Sequence, residues 1–122
     1  MIVKTKIDDL NWFYSLDWKD VLYVEQEADY QNVVTCRGTI RIHNRMDKLL
    51  DQLPHLLRVH RSYCVNPYQM LGYAVDTENQ RVHLMFKDGT RLNIGRGRNF
   101  WDDFTETFQI VKTQKDDNGN WI

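Results

Sequence analysis

The chain is poor in cysteine, proline and long apolar runs. Its 122 residues include two cysteines and two prolines, and so few cysteines cannot build a disulfide scaffold. The apolar runs last only a few residues, far below the roughly 20 that a membrane-spanning helix needs. The opening MIVKTKIDDL also lacks the apolar stretch of a signal peptide. We therefore expect a single soluble, cytoplasmic domain with no membrane partner.

Cysteine and histidine do not combine into a metal motif. Cys36 and Cys64 form no C-x-x-C pair, and His60 with Cys64 has no second closely spaced pair to complete a tetrahedral site. No Ser/His/Asp, Cys/His or paired-carboxylate set stands at a spacing typical of catalysis. The sequence predicts two buried free thiols, no metal, no cofactor and no enzymatic activity.

A strong charge of either sign is absent as well, because the net charge is −1. Taken alone, this value argues against a nucleic-acid partner, which usually requires a basic surplus. The charges are nevertheless segregated along the chain. Residues 8–29 carry seven acids against Lys19, a balance of −6, whereas residues 58–98 carry seven arginines and lysines against three acids, a balance of +4. Solvated faces that cluster by sign are the simpler explanation of charge alone.

Most of the chain has the pattern of short β-strands. The stretches at residues 21–26, 32–36 and 39–43 are rich in β-branched and aromatic residues, with Gly38 as a turn residue between the last two. RVHLMFKDGTRLNI at residues 81–94 alternates apolar and polar residues around Asp88-Gly89, which we expect to supply the positive φ angles of a tight turn. The inward face would hold Val82, Leu84, Phe86, Leu92 and Ile94, and the outer face Arg81, Lys87 and Arg91.

Two segments have helical periodicity. The stretch NRMDKLLDQLP begins with Asn44, the predicted N-cap, and Pro54 stops the helix; its apolar stripe is Met46, Leu49, Leu50 and Leu53. RNFWDDFTETF predicts a second helix with Phe100, Phe104 and Phe108 inward beside Trp101, and Asp102, Asp103 and Glu106 outward. The tail at residues 113–122 has little periodicity, and we expect it to be loose.

A cation interrupts the apolar stretch VHRSYCVNP at residues 59–67. An extended segment would point Leu57, Val59, Tyr63 and Val65 inward. His60, Arg61 and Ser62 would then form a kink or exposed turn, and Asn66-Pro67 would break the strand. On these residues alone, Arg61 is best explained as a surface arginine paired with an acid.

Three stretches in sequence carry a family resemblance: DVLYVEQEADYQNVVT, then VHRSYCVNP, then DGTRLNIGRGRNF. Their order resembles the LytTR family of bacterial DNA-binding domains over nearly the whole chain, which predicts one such domain at residues 1–112. HRSYCVN is the most specific part of the match. One position departs from the family pattern, because Gly95 stands where a serine often precedes the arginine that opens the final helix.

The resemblance implies a mainly β fold of elongated antiparallel β-sheets with two short flanking helices. It also implies that DNA is read by loops entering successive major grooves, rather than by a helix in the groove. The first loop would supply Tyr30, Gln31 and Asn32, the second His60, Arg61 and Ser62, and the third Arg96, Arg98 and Asn99. Arginine can bind guanine or a phosphate through its rigid fork. A histidine beside a core valine, such as His60, is more often a structural hydrogen-bonding residue than a DNA contact. We expect Arg81, Lys87 and Arg91 to be solvated or at most to form nonspecific phosphate contacts.

The resemblance further implies double-stranded DNA as the partner, with two copies bound to a direct-repeat operator. Family members commonly carry a receiver domain that a sensor kinase phosphorylates. A receiver needs about this whole chain's length, so we expect either the output domain of a response regulator or a stand-alone regulator. The alternative from another class is a β-rich module that binds a protein or a small ligand through its acidic N-terminal third.

Overall fold

The computed structural model describes residues 2–95 and 101–121, which form ten strands and two α-helices. The prediction of a mainly β fold with antiparallel sheets and two helices is confirmed. The strands are β1 (Ile2–Ile7), β2 (Leu10–Ser15), β3 (Val21–Glu27), β4 (Tyr30–Thr35), β5 (Gly38–Ile42), β6 (Leu57–His60), β7 (Tyr63–Val65), β8 (Met70–Asp76), β9 (Arg81–Phe86) and β10 (Arg91–Gly95); the helices are α1 (Met46–Gln52) and α2 (Trp101–Lys112).

A central five-stranded sheet lies between two hydrophobic cores. Its strand order is β5-β4-β3-β7-β6, next to a two-stranded sheet β1-β2 and a three-stranded sheet β10-β9-β8. One face packs Val24, Val33 and Ile42 against α1 and β1. The other face packs Val65 and Val59 against the three-stranded sheet and α2. Both faces are covered because the side chains alternate along each strand.

The first hairpin, β1 with β2, was not predicted from the sequence. Asp8 and Asp9 form its turn with φ of 51° and 64°, and two successive positive φ angles are typical of a two-residue type I′ turn. The second strand, LNWFYS, has apolar residues on both faces, so its period of two is weak. Leu10, Trp12 and Phe13 remain exposed there.

The hairpin of β9 and β10 confirms its predicted inward face, because Val82, Leu84, Phe86, Leu92 and Ile94 are all buried. The predicted turn is wrong in one detail. Gly89 has a φ of 92°, whereas Asp88 is not among the residues with positive φ. Instead, the Asp88 carboxylate accepts a hydrogen bond from the Thr90 amide, and the Phe86 carbonyl accepts one from the Gly89 amide. The turn therefore spans three residues with only its last one left-handed, and the aspartate acts as a cap.

Helix α1 buries Met46, Leu49 and Leu53 as predicted, with Leu50 half-buried. Its N-cap is Arg45 rather than Asn44, because the Asn44 side chain accepts a hydrogen bond from the Arg45 amide, outside the helix. The adjacent Asn44 backbone carbonyl accepts one from Gln31. The helix therefore begins without a side-chain cap.

Helix α2 buries Trp101 and Phe104 and exposes its acids, as predicted. Phe108 is half-buried, and the Tyr73 ring meets all three aromatic rings edge-on at 5.2 to 5.9 Å. The predicted inward residue Phe100 lies outside the described residues. Beyond α2, Lys115 and Trp121 form an isolated β-bridge. Whether the tail is loose stays a prediction.

Asn66 ties the end of β7 to the start of β3. Its side chain is fully buried and donates to the carbonyls of Trp18 and Val21 while accepting from the Tyr68 amide. The predicted strand break at Asn66-Pro67 is confirmed, because β7 ends at Val65 and a short 3₁₀ helix begins at Pro67. This network holds the neighbouring strands in register.

The two thiols differ in environment. Cys64 is buried as predicted, whereas Cys36 is exposed in the turn between β4 and β5, so the expectation that both would be buried is wrong. Both are free. The sequence pattern predicts Cys36 as the last residue of a strand, but this strand, β4, ends at Thr35. Cys36 therefore lies in a turn, where no sheet covers its side chain.

Candidate nucleic-acid interface

The first and second predicted loops lie at the same end of the central sheet. The first is the turn between β3 and β4, where Ala28 adopts a φ of 52°. The second is Arg61-Ser62, between β6 and β7. The Gln26 amide donates a hydrogen bond of 2.8 Å to the Ser62 carbonyl, so the second loop is fixed directly beside the end of β3. The predicted exposed turn at Arg61 is confirmed.

One row of side chains crosses the whole sheet at this end. Strand pairing places Arg41 opposite Asn32, Asn32 opposite Glu25, Glu25 opposite Tyr63, and Tyr63 opposite His60. Residues directly opposite one another in a ladder project from the same face. The row therefore forms a continuous strip on the face that, deeper in, packs against the three-stranded sheet.

The third predicted loop begins next to the second. A Cβ built on Gly95 would lie 3.8 Å from Nε2 of His60, and Gly95 pairs with Arg81 at the end of the β9–β10 ladder. The pKa of Tyr63 is raised by burial and by Glu25, and Arg81 is close enough to oppose part of this rise. Three chain segments thus meet at one end of the molecule. The predicted residues Arg96, Arg98 and Asn99 lie outside the described residues.

Arg61 is exposed, and no carboxylate in the described ranges pairs with it. The ion pairs there join Arg37 to Asp20 and Arg45 to Asp47. The explanation of Arg61 as a surface ion-pair partner therefore finds no support among these residues. Its charge is available to an outside anion.

His60 has a clear structural contact. Its Nδ1 accepts a hydrogen bond of 3.1 Å from the Ser62 amide, and its ring meets the Tyr63 ring edge-on at 5.7 Å. The strand register also shifts between Arg58 and His60, which produces the predicted kink. His60 therefore closes the turn that presents Arg61.

The three residues predicted for the first loop have different environments. Gln31 is only 2% exposed, and its amide donates to the Asn44 carbonyl at 3.2 Å, so it cannot touch DNA without leaving the core. The Asn32 amide donates to Glu27 at 2.8 Å. Tyr30 is half-buried, and the Arg41 guanidinium lies over its ring, 4.1 Å from the centroid.

The interface mixes both signs of charge. Burial raises the pKa of Tyr63, the carboxylate of Glu25 raises it further, and Arg81 partly opposes this shift. The pKa of Tyr23 is raised by burial and then by Glu25. Both phenols therefore keep their protons at neutral pH and can donate hydrogen bonds. The acids Glu25 and Glu27 lie on the central strand β3. Arg41 lies to one side, on the edge strand β5, and Arg61 to the other side, in the turn between β6 and β7.

The sequence model of the LytTr DNA-binding domain matches residues 11–109. The chain belongs to this family. DNA binding is the function that this membership assigns, and the family is not one of enzymes. A solved structure with a TM-score of 0.64 is similar over 88% of this chain and 95% of its own, at 19% identity. It is the LytTr DNA-binding domain of a protein from Bacillus cereus described as a methyl-accepting/DNA response regulator. The comparison with curated proteins gives no match.

In this LytTR domain, the three outer-face cations of the β9–β10 hairpin are not equivalent. Arg81 lies at the end shared with Gly95, and its guanidinium donates to the side chain and carbonyl of Asn93 at 2.8 and 3.2 Å. Arg91 and Lys87 lie at the opposite end, beside the three-residue turn. Only Arg81 is thus placed near the predicted loops.

Two residues of this LytTR domain were missed as site candidates, Arg41 and His43. TIRIH alternates so that Ile40 and Ile42 turn toward one core while Arg41 and His43 project from the other face. This alternation was visible in the sequence, but the partners of the two side chains were not. Within the described ranges, no helix is long and apolar enough to cross a membrane, and no cluster of three or more His, Cys, Asp or Glu side chains could hold a metal ion.

Proposed function

We propose that the chain is the DNA-binding output domain of a bacterial transcription regulator that binds double-stranded DNA sequence-specifically through its loops. The observation that supports this proposal is that the exposed Arg61 lies at the same end of the molecule as the turn between β3 and β4 and as Gly95, after which the third predicted loop begins. An arginine fork without an acid partner can bind a phosphate or guanine O6 and N7. The central role therefore belongs to Arg61, with His60 and Ser62 shaping its turn.

The other loops complete the proposed contact. Tyr30 and Asn32 lie at the start of β4, next to the first loop, and project from its outer face, whereas Gln31 between them is buried and fixes this end of the strand through its bond to the Asn44 carbonyl. Arg96, Arg98 and Asn99 remain the proposed contacts of the third loop. Glycine at position 95 lets the backbone there approach close to phosphate.

Strand spacing limits how the loops divide the DNA. The first two loops are about two strand spacings apart, roughly 10 Å, which is close to the roughly 12 Å width of one major groove. Grooves one helical turn apart repeat about every 34 Å. The first two loops therefore serve one groove and its flanking backbone, and contact with a successive groove rests on the third loop.

The biological setting is also part of the proposal. The matching Bacillus cereus domain comes from a protein described as a response regulator, which supports a receiver domain and a sensor kinase upstream of this output domain. Two copies would bind a direct-repeat operator in the cytoplasm. The proposal includes no catalytic step.

The test is to select bound sequences from a random duplex pool and titrate the recovered operator by fluorescence anisotropy at several salt concentrations. Each neutralised phosphate contributes roughly −0.9 to the slope of log K against log salt, so several contacts give a steep line despite the net charge of −1. A selection that recovers no motif, together with a flat slope, would reject the proposal and favour the protein-interaction module.

A further inference from the structure

Arg41 lies on the edge strand β5 and forms a cluster with the side chains of Tyr30 and His43. Its guanidinium is 4.1 Å from the centroid of the Tyr30 ring, and the His43 ring lies 5.0 Å from the same ring. Arg41 and His43 are both exposed, whereas Tyr30 is half-buried between the solvent and the sheet. The tyrosine thus forms a platform for an exposed cation.

Strand pairing explains why the three side chains meet. Gln31 pairs with Ile42, so the next residues outward, Tyr30 and His43, lie opposite each other. Gln31 and Ile42 are buried on one face, and their neighbours along the strands therefore project from the other. Arg41 lies diagonally across from Tyr30, within reach of a long side chain. The stack follows from the register of β4 and β5 and does not depend on a flexible loop.

The stacked guanidinium keeps its donors available. Stacking on an aromatic face uses the plane of the group and leaves its N–H bonds pointing outward from the edge. In the parts of the chain that the structure describes, Arg41 forms no ion pair, and the nearby Glu27 carboxylate accepts a hydrogen bond from Asn32 instead. An oriented cation without an acid partner is suited to an anion from outside the chain.

We propose that Arg41, held over the Tyr30 ring, is a further DNA contact of this domain and binds a backbone phosphate beside the groove that the first two loops enter. This inference rests on the proposed function. Arg41 and His60 occupy the two ends of the same row across five strands. Four strand spacings amount to roughly 19 Å, more than the roughly 12 Å width of the groove. With Arg61 in the groove, Arg41 therefore reaches the flanking backbone and not the base edges.

The β4–β5 hairpin supplies a matched control. Arg37 lies at its other end and pairs with Asp20 at 3.9 Å. We expect Arg41→Ala to weaken binding about tenfold for every duplex sequence and to reduce the salt slope by about one, whereas Arg37→Ala changes neither. Arg41→Lys should restore only part of the affinity, because an ammonium lacks the planar fork.

Variants at Tyr30 test the platform. Tyr30→Phe keeps the ring, so Arg41→Ala should still cost about tenfold in affinity in that background. Tyr30→Leu removes the ring, so Arg41→Ala should cost clearly less in that background, since the two residues act as one unit. Circular dichroism of each variant checks that the fold is kept.

The outcomes separate this inference from the proposed function. If the wild type binds its operator with a steep salt slope but Arg41→Ala equals Arg37→Ala, the Arg41 contact is overturned and the proposed function stands. If Arg41→Ala alters preference at one operator position without changing the salt slope, Arg41 reads a base and the phosphate contact is overturned. If the wild type selects no sequence, both proposals fall.

Discussion

The two ends of the central sheet carry the same kind of residue in opposite situations. At the turn between β4 and β5, Arg37 pairs with Asp20, although the arginine side chain is 84% exposed. At the other end, Arg41 stacks on Tyr30 and Arg61 projects from its turn, and neither has an acid partner in the described ranges. A surface ion pair contributes little to stability. We therefore interpret the difference as functional. The arginine at the β4–β5 turn is paired with an acid, whereas the two arginines at the other end have no acid partner among the described residues.

The three-stranded sheet repeats this contrast. Arg81 lies at the end of the molecule where Gly95 approaches His60. Lys87 lies at the far turn near Lys112, whose pKa is lowered mainly by burial and further by the charge of Lys87. Cations at the loop end surround a surface that an anion can occupy. At the far end, Lys87 lies close to a second cation, Lys112, in the last turn of α2.

The largest effect is expected from removing the buried link between the end of β7 and the start of β3. Asn66→Ala leaves the Val21 carbonyl and the Tyr68 amide without this buried partner, while the Trp18 carbonyl keeps a hydrogen bond from the Val21 amide, and each unsatisfied group costs about 1 to 3 kcal/mol. We expect the free energy of unfolding to fall by about 2 to 4 kcal/mol, measured by urea denaturation. DNA affinity of the folded fraction should stay the same.

The control for this variant is Asn79→Ala, which removes an exposed amide that donates to Asp76 in the β8–β9 turn. It should cost well under about 1 kcal/mol, because water replaces the lost partner. Equal losses in the two variants would contradict the role of Asn66 as a structural link.

The next effect separates binding from stability at the loop end. Arg61→Ala should cost about 1 to 3 kcal/mol of specific DNA binding while leaving the melting temperature nearly unchanged, because an exposed arginine contributes little to folding. Arg91→Ala, at the opposite end of the β9–β10 hairpin, should weaken binding less. Anisotropy titrations and thermal melts of the same preparations give both quantities. A large drop in melting temperature, with binding lost only in proportion to unfolded protein, would make Arg61 a structural residue.

The smallest effect is expected for Lys112 in the last turn of α2, which is partly buried and lies near Lys87. Burial lowers the pKa of Lys112 to about 8, with a further contribution from the charge of Lys87. Because the folded pKa lies below the unfolded value of about 10.4, the unfolded chain binds more protons between these two pH values, and stability from this group rises with pH there. We therefore expect Lys112→Met to be more stable than the wild type below pH 8.

The measurement for this variant is the difference in melting temperature between wild type and variant from pH 6 to pH 10. The advantage should shrink as pH rises above 8, where the folded wild type loses the charge. Lys48→Met, which removes an exposed charge on α1, should show no such advantage. A gap that is constant over the whole range would mean that the extra stability comes from packing alone.

Local patterns in the sequence were sufficient for much of the fold. The inward face of the β9–β10 hairpin was predicted because strict alternation leaves only one buried face. The apolar stripe of α1 was predicted because its residues recur with the period of an α-helix. β1 and β2 were missed, since apolar residues on both faces of the second strand hide the period of two. The N-cap of α1 was assigned to the wrong residue because the Asn44 side chain accepts from the adjacent Arg45 amide and not from an amide in the first turn of the helix.

The sequence by itself determined the strand alternation, the helical stripes and the family motif that marked Arg61 as a candidate contact. These depend on residues close together in the chain and on backbone geometry that every protein shares. Only the tertiary structure decided that Gln31 is buried against the Asn44 carbonyl, that Gly95 lies beside His60 and that Arg41 stacks on Tyr30. Each of these contacts joins residues from different strands or turns, and their partners depend on strand order and register across the sheets, which the pattern within one strand does not encode.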